Sequence, residues 1–244
     1  MTSYSNESLG VDKTPSRIEG MFDSIAGRYD LLNRVLSIGF DQSWRMRAVS
    51  SLRLEGRESV LDLCTGTADL ALAMTSARSG CRVVGVDFSS EMLRYGRRKI
   101  MGSPYAKQIK LLRGNAMFVP VVDNSIDAVT VGFGIRNVSD PTQALREMYR
   151  VLRPGGRLAI LEFGYPRLAL LKSLYLSYFR TVLPMVGRLV SRHQSAYSYL
   201  PESVGSFYQP ETFCQILSGA GFSGVNSTPL TCGIVYLYEA RRSS

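Results

Sequence analysis

Residues 60–71 read VLDLCTGTADLA: an apolar run from Val60 to Leu63 enclosing Asp62, then a Thr-Gly-Thr turn, then the opening of a helix. A β-strand running into such a turn lets backbone atoms approach a ligand closely. It also aims the first N–H groups of the following helix at the ligand's polar atoms. Gly66 therefore belongs to a candidate nucleoside site. The next strand closes in GVDFSSEMLRYG, where Asp87 stands at the point from which a carboxylate can accept hydrogen bonds from both hydroxyls of a ribose. A dinucleotide needs a tighter Gly-x-Gly-x-x-Gly cradle for its pyrophosphate, and here Gly66 is followed by Ala68 and Ala71. The adenosine and sulfonium of S-adenosylmethionine need no phosphate cradle, so this nucleoside suits the turn better than NAD. Asp62 either faces the cationic methionine end or is a strand-end carboxylate held by backbone N–H groups. Asn115 and Ala116, in the GNA turn after the third strand, sit where the adenine should lie. Asn115 offers both donor and acceptor to a base edge, or is an ordinary turn residue.

Outward from this segment, short apolar runs alternate with helix-like stretches, the pattern of parallel βαβ units in an α/β domain. The expected strands are Val60–Leu63, Arg82–Val86, Ile109–Leu112, Ile126–Val131 and Leu158–Phe163. Between the last two, Asp140 is a candidate N-cap, Pro141 occupies the first helical position and Gln143 completes a capping-box pattern. The core face of that helix reads Ala144/Leu145, Met148, Val151/Leu152, and Pro154, Gly155 and Gly156 stop it. The chain closes with a helix near Pro210–Ala220 and two strands, Gly224–Pro229 and Gly233–Ala240, which suit an antiparallel hairpin at the sheet edge.

A length of 244 residues, 45% of them hydrophobic, suits one domain with a substantial core and is too short for two. Residues 1–17 read as a flexible N-terminus and 18–244 as the domain. Its first part, 18–53, is a helical arm carrying the only tryptophan, Trp44. An aromatic and basic insertion follows at 166–207, with Leu168, Leu171, Leu174/Tyr175, Tyr178 and Val182 at helical spacing. This stripe packs on the sheet, or else forms a lid or a membrane-facing surface.

Composition removes several classes of chemistry. The four cysteines lack CxxC spacing and read as buried free thiols, and His193 is the only histidine, so no metal is expected and no Ser-His-Asp triad can be assembled. No run of about 18 apolar residues occurs, and the N-terminus lacks the apolar core of a signal peptide. Cytoplasmic residence is the default expectation. The formal charge of +9 suits anionic surfaces, phospholipid or nucleic acid, or simply solubility.

More specific stretches are MFDSIAGRYDLLNRVLSIGFDQSWR at 21–45, FGIRNVSD at 133–140, ALREMYRVLRPGGRLAILEF at 144–163 and AYSYLPESVGSF at 196–207. In these the chain resembles the ubiquinone/menaquinone biosynthesis C-methyltransferases, from about Met21 to Ala240. The resemblance implies a Rossmann-like class I fold, with a mostly parallel seven-stranded sheet and helices on both faces. It implies S-adenosylmethionine as methyl donor, contacted by Thr67, Asp87, Asn115 and Ala116. The acceptor it implies is demethylmenaquinol, with a polyprenyl methoxybenzoquinol of the ubiquinone route as the alternative. Two positions depart from the family pattern: Ala68 replaces a glycine usual in the first turn, and Gly132 stands where some members carry a serine beside the donor.

Methyl transfer to a quinol ring carbon needs donor and acceptor held in line, and a cation near the quinol oxygen would help. Arg136 in FGIRN is the candidate for that cation, or is a carboxylate-paired structural arginine; Asn137 can position the same ring. Tyr29 and Asp30 are candidates for closing the pocket, with Asp30 the better base, and a purely structural role is equally open. A polyprenylated acceptor makes the chain a transient visitor to an anionic membrane surface, inner-face and peripheral. The insertion would dock through Arg167, Lys172, Arg180, Arg188 and Arg192. An RNA-binding protein on the same fold and a methyltransferase for a soluble acceptor remain alternatives, although no RNA-recognition module is visible. A homo-oligomer is compatible with the sequence.

Overall fold

The computed structural model describes residues 12–166 and 195–243, together with 168, 170, 173, 175, 177, 178 and 181. Five parallel strands, β1 (Ser59–Leu63), β2 (Arg82–Asp87), β3 (Ile109–Arg113), β4 (Ile126–Gly132) and β5 (Leu152–Phe163), are followed in sequence by β6 (Phe222–Leu230) and β7 (Val235–Arg242). Among the described residues they form a seven-stranded sheet in the order β3-β2-β1-β4-β5-β7-β6, with β7 antiparallel to both β5 and β6. The order reverses between β1 and β4. At such a switch point the loops leaving the two strands diverge, and a crevice opens at their carboxyl ends.

Both faces of the sheet are covered, so its strands read as continuous apolar runs. Successive residues point to opposite layers. Leu61, Val129 and Ile160 pack under α6 (Pro141–Val151) and the C-terminal helix Pro210–Gly219. Val60, Ala128 and Leu161 pack against Trp44 and Ala48 of α3 (Phe40–Ser51) and Leu70 and Met74 of α4 (Asp69–Ala77). The arm before the sheet also contains α1 (Pro15–Ile25) and α2 (Tyr29–Leu36), and α5 (Ser90–Met101) follows β2. Helix α7 (Ser195–Gly205) and the C-terminal helix, α8, follow β5 in sequence. Trp44 anchors the arm: its Nε1 donates to Thr231 Oγ1 at 2.8 Å, and its ring meets Phe133 and Phe163 edge-on.

Several expectations shift. The arm begins at Pro15 rather than Ile18, and residues 1–11 lie outside the described residues. The fifth strand starts at Leu152, because Gly155 at φ +75° turns the chain without ending the strand. Asp140 does cap α6, its side chain accepting from Gln143 N at 2.9 Å. The capping box is not closed, since Gln143 Nε2 donates to Met117 O instead. The cysteines are free, but only Cys81 is buried: Cys64 and Cys214 are half-buried, and Cys232 is exposed in the turn between β6 and β7. In the insertion, Leu171, Leu174, Val182 and the basic residues Arg167, Lys172, Arg180, Arg188 and Arg192 lie outside the described residues.

Removing the cap leaves an orphaned N–H at the start of α6. Asp140→Ala should lower unfolding free energy by about 1 kcal/mol in a urea titration; an unchanged midpoint would mean that water replaces the cap at no cost.

Candidate active site

The turn after β1 is left-handed at alternate residues, with Cys64 at φ +56°, Gly66 at +55° and Ala68 at +66°. For Ala68 this conformation costs about 1 to 2 kcal/mol. The turn is held by the end of the neighbouring strand. Gly66 N donates to Asp87 Oδ2 at 2.8 Å and Ser89 N to Asp87 Oδ1 at 2.9 Å, so one carboxylate ties the loop after β1 to the loop after β2. Burial pushes the Asp87 carboxyl up to about 6, against the opposing pull of backbone N–H groups from Ser89, Gly66 and Phe88. Each oxygen keeps lone-pair capacity for a further donor.

Asp87 and Gly66 line a cavity of about 360 Å³ together with Asn115, Ala116 and Gly132. Asn115 Oδ1 accepts from Met117 N at 2.9 Å, which fixes the turn and orients the carboxamide. The loop after β4 forms the opposite wall. Phe133 is held at φ +61°, and a Cβ on Gly134 would collide with Cys64, so only hydrogen fits there. These groups suit an adenosine: a two-oxygen acceptor at the ribose position, an amide at the base position and close backbone approach between them.

A second cavity, about 110 Å³, adjoins the first, and Phe22, Tyr29 and Phe133 line both. Its other walls are largely apolar and aromatic, including Leu32, Leu36, Trp44, Phe163 and Tyr178. Arg136 lines it and is buried. Arg136 Nη1 donates to Glu162 Oε1 at 2.7 Å and to Phe133 O, and its backbone N–H donates to Glu162 Oε2 at 3.1 Å. Phe163 N also donates to Glu162, at 2.8 Å, so this fully buried carboxylate accepts from three N–H groups. Asn137 reaches the first cavity, with Nδ2 directed at Phe133 O and Oδ1 accepting from Tyr199 Oη at 3.0 Å. Burial pushes the Tyr199 hydroxyl up to about 12, which keeps it a donor.

Three expected site residues do not line either cavity. Asp62 is buried between two hydroxyls, accepting from Thr65 Oγ1 at 2.5 Å and Thr130 Oγ1 at 2.8 Å, and burial pushes it up to about 6. These bonds tie Asp62 to the turn after β1 and to β4. Asp30 is engaged by Lys99 Nζ at 2.7 Å and by Thr67 Oγ1, so neither Asp30 as a base nor the Thr67 side chain as a donor contact follows from the geometry. Lys99 also reaches Asp69, which Arg45 approaches at 3.5 Å. The result is a polar clasp joining α2 and α3 of the arm to α4 and α5.

The profile of the ubiE/COQ5 methyltransferase family matches residues 11–242. The chain belongs to that family. A ubiquinone/menaquinone biosynthesis C-methyltransferase from Geotalea daltonii is 45% identical over 93% of this chain and 96% of its own length. A demethylmenaquinone methyltransferase from Thermus thermophilus is 45% identical over 91% of this chain and its entire length. A solved SAM-dependent methyltransferase from Aquifex aeolicus superposes with a TM-score of 0.62 at 18% identity, covering 95% of this chain and 99% of that one. The last comparison bears on the fold alone, a Rossmann-like class I methyltransferase sheet. Family membership makes the chain an S-adenosylmethionine-dependent C-methyltransferase.

Within this family framework, sequence reasoning missed Glu162, Tyr199 and Lys13. Glu162 and Tyr199 partner Arg136 and Asn137 from elements far along the chain, and no spacing rule connects them. Lys13 lines the first cavity half-buried, its ammonium pulled below the ordinary value chiefly by burial. It precedes the motifs that drew attention to the arm.

The Asp87 carboxylate is ionised above about pH 6 and gains its proton below, so ribose hydrogen bonding should be full at neutral pH and lost on acidification. Calorimetry should show S-adenosylmethionine affinity falling through pH 6 by no more than about tenfold per pH unit. Asp87→Ala should bind it weakly at pH 7.5, each charge-assisted bond being worth about 1.5 to 3 kcal/mol. Affinity equal to the parent's would remove Asp87 from the ribose site.

Proposed function

We propose that the chain transfers a methyl group from S-adenosylmethionine to a ring carbon of demethylmenaquinol, giving menaquinol. The observation that carries this reading is the aromatic cavity sharing its Tyr29 and Phe133 walls with the nucleoside cleft. A planar hydrophobic ring fits there, next to the donor. The name of the Thermus relative supports the menaquinol route. The Geotalea relative's name covers both quinones, which keeps a 2-methoxy-6-polyprenyl-1,4-benzoquinol as the second reading.

Bound in the cleft, S-adenosylmethionine supplies an electrophilic methyl on a sulfonium that is its own leaving group. Asp87 holds the ribose and Gly66 admits its close approach, while Asn115 and Ala116 face the base. Tyr29 and Phe133 fix the acceptor ring at the junction of the cavities; approach at about 3 to 3.5 Å is the geometric condition. Arg136 is presented by Glu162 without freedom to swing, and its Nη2 makes no hydrogen bond among the described residues. It stabilises negative charge developing on a quinol oxygen and orients a proton-accepting water. Asn137, held by Tyr199, faces the same junction. A polyprenyl tail confines such an acceptor to the membrane, so the enzyme visits an anionic surface reversibly. No helix among the described residues is long and apolar enough to cross a membrane.

Purified protein given labelled donor and each reduced precursor should yield methylated menaquinol by mass spectrometry; methylation of the benzoquinol alone would reverse the assignment. Arg136→Lys should keep donor affinity yet lose most single-turnover rate, because a point ammonium cannot reproduce the planar fork. The loss of one such donor is worth about 3 to 4 kcal/mol of barrier. An unchanged rate would leave Arg136 a purely structural partner of Glu162.

A further inference from the structure

Helix α2 is more apolar than its own packing requires. Leu32 and Leu36 line the aromatic cavity, and the apolar arc continues onto the outer surface through Leu31 and Val35, one turn apart and 56% and 44% exposed. Beyond the helix end, Ile38 is 79% exposed and Phe40, at the start of α3, is 50% exposed. An amphipathic surface helix normally turns charge to water at these positions.

Ile38 is unusual in a second, independent way. Its φ is +51°, a left-handed conformation that a β-branched side chain rarely adopts and that glycine or asparagine would take at little cost. Ile38 N donates to Val35 O and Gly39 N to Arg34 O, so the turn is a fixed part of the fold. A strained, water-exposed isoleucine at the tip of an ordered turn gives up stability twice over, with no packing gain inside the monomer. Charge completes the pattern. Arg28 and Arg34 are exposed at the two ends of α2, with Arg34 Nε 3.5 Å from the buried Asp41 that Arg45 also engages, while Asp30 is engaged by Lys99. Ser37, next to Ile38, lines the aromatic cavity, so the patch borders its mouth.

We propose that the α2–α3 turn, through Leu31, Val35, Ile38 and Phe40 with Arg28 and Arg34 beside them, is the surface that seats on an anionic phospholipid bilayer. There it admits the acceptor's isoprenoid tail to the aromatic cavity. This rests on the polyprenylated acceptor proposed above. Apolar side chains dip to the acyl boundary while arginines meet the headgroups, the composition of an interfacial element. The cavity mouth then opens toward the phase that holds the substrate, and the tail need never cross water.

The test uses the full chain with vesicles of phosphatidylcholine alone or mixed with phosphatidylglycerol. The parent should sediment with the anionic vesicles at low salt and progressively less as salt rises. Ile38→Asp and Val35→Asp should each weaken that binding by about tenfold or more, the worth of one buried aliphatic side chain. Ile38→Asn guards against misfolding: it should melt no lower than the parent, because asparagine accepts the left-handed turn, and still bind vesicles less well. All three variants should bind S-adenosylmethionine by calorimetry as the parent does and methylate a tail-less 1,4-naphthoquinol at the parental rate. With long-chain acceptor in vesicles they should show a raised KM. Sedimentation of the aspartate variants equal to the parent's, or a parent that ignores anionic vesicles at low salt, would overturn the proposal. A parent that methylates no naphthoquinol would instead defeat the acceptor assignment, while the sedimentation comparison still decides the surface.

Discussion

A single buried carboxylate, that of Asp87, sets the geometry on which the rest of the site depends. It receives the N–H of Gly66 from one loop and that of Ser89 from the next, and so fixes the distance between the turn after β1 and the start of α5. An ionised carboxylate in this setting carries a desolvation cost, visible in its upward shift to about 6. Two aligned backbone donors offset part of that cost. The remaining acceptor capacity points toward the cavity and is what a ribose would use. Strain follows from the same constraint, since Cys64 and Ala68 are held left-handed so that the turn can reach the carboxylate. Strain of this kind persists only where surrounding contacts over-determine the backbone.

The second cavity depends on an analogous arrangement of opposite sign. Arg136 is a buried cation surrounded by aromatic rings, with its guanidinium 5.2 Å from the Phe163 centroid. Glu162 neutralises it and accepts three N–H hydrogen bonds in all. A buried pair of this type adds little net stability compared with apolar residues, but removing one member leaves an uncompensated charge. Beside the aromatic cavity the pair holds a fixed, buried positive charge. Phe133 links the two halves. Its ring walls both cavities and its carbonyl receives Arg136 and Asn137.

What the sequence made legible follows from locality. The strand-turn-helix of residues 60–71, the carboxylate closing the next strand and the Asp140 cap are all encoded within a few neighbouring residues, and the structure places them as their pattern indicates. The hairpin of β6 and β7 was legible for the same reason, apart from its ends. Ala68 stands out as a methyl where glycine suits the conformation, and its positive φ bears out that concern. The partners of Asp30, Thr67 and Asp62 were not legible because they are remote: Lys99, Asp30 and Thr130 come from other elements, and a polar residue near a site reads alike whether it faces a ligand or another side chain. The pairing of Arg136 with Glu162 was one of two readings open to the sequence, and only the fold supplies the second member.

On the proposed function, donor and acceptor occupy adjoining cavities divided by Tyr29 and Phe133. Its most direct test is a crystal structure of the protein with S-adenosylhomocysteine and a tail-less 1,4-naphthoquinol bound together. The ribose should lie on Asp87, and the quinol ring between Tyr29, Phe133 and Arg136 with its unsubstituted carbon facing the sulfur. A quinol ring bound away from Arg136, or a nucleoside whose ribose does not meet Asp87, would contradict it.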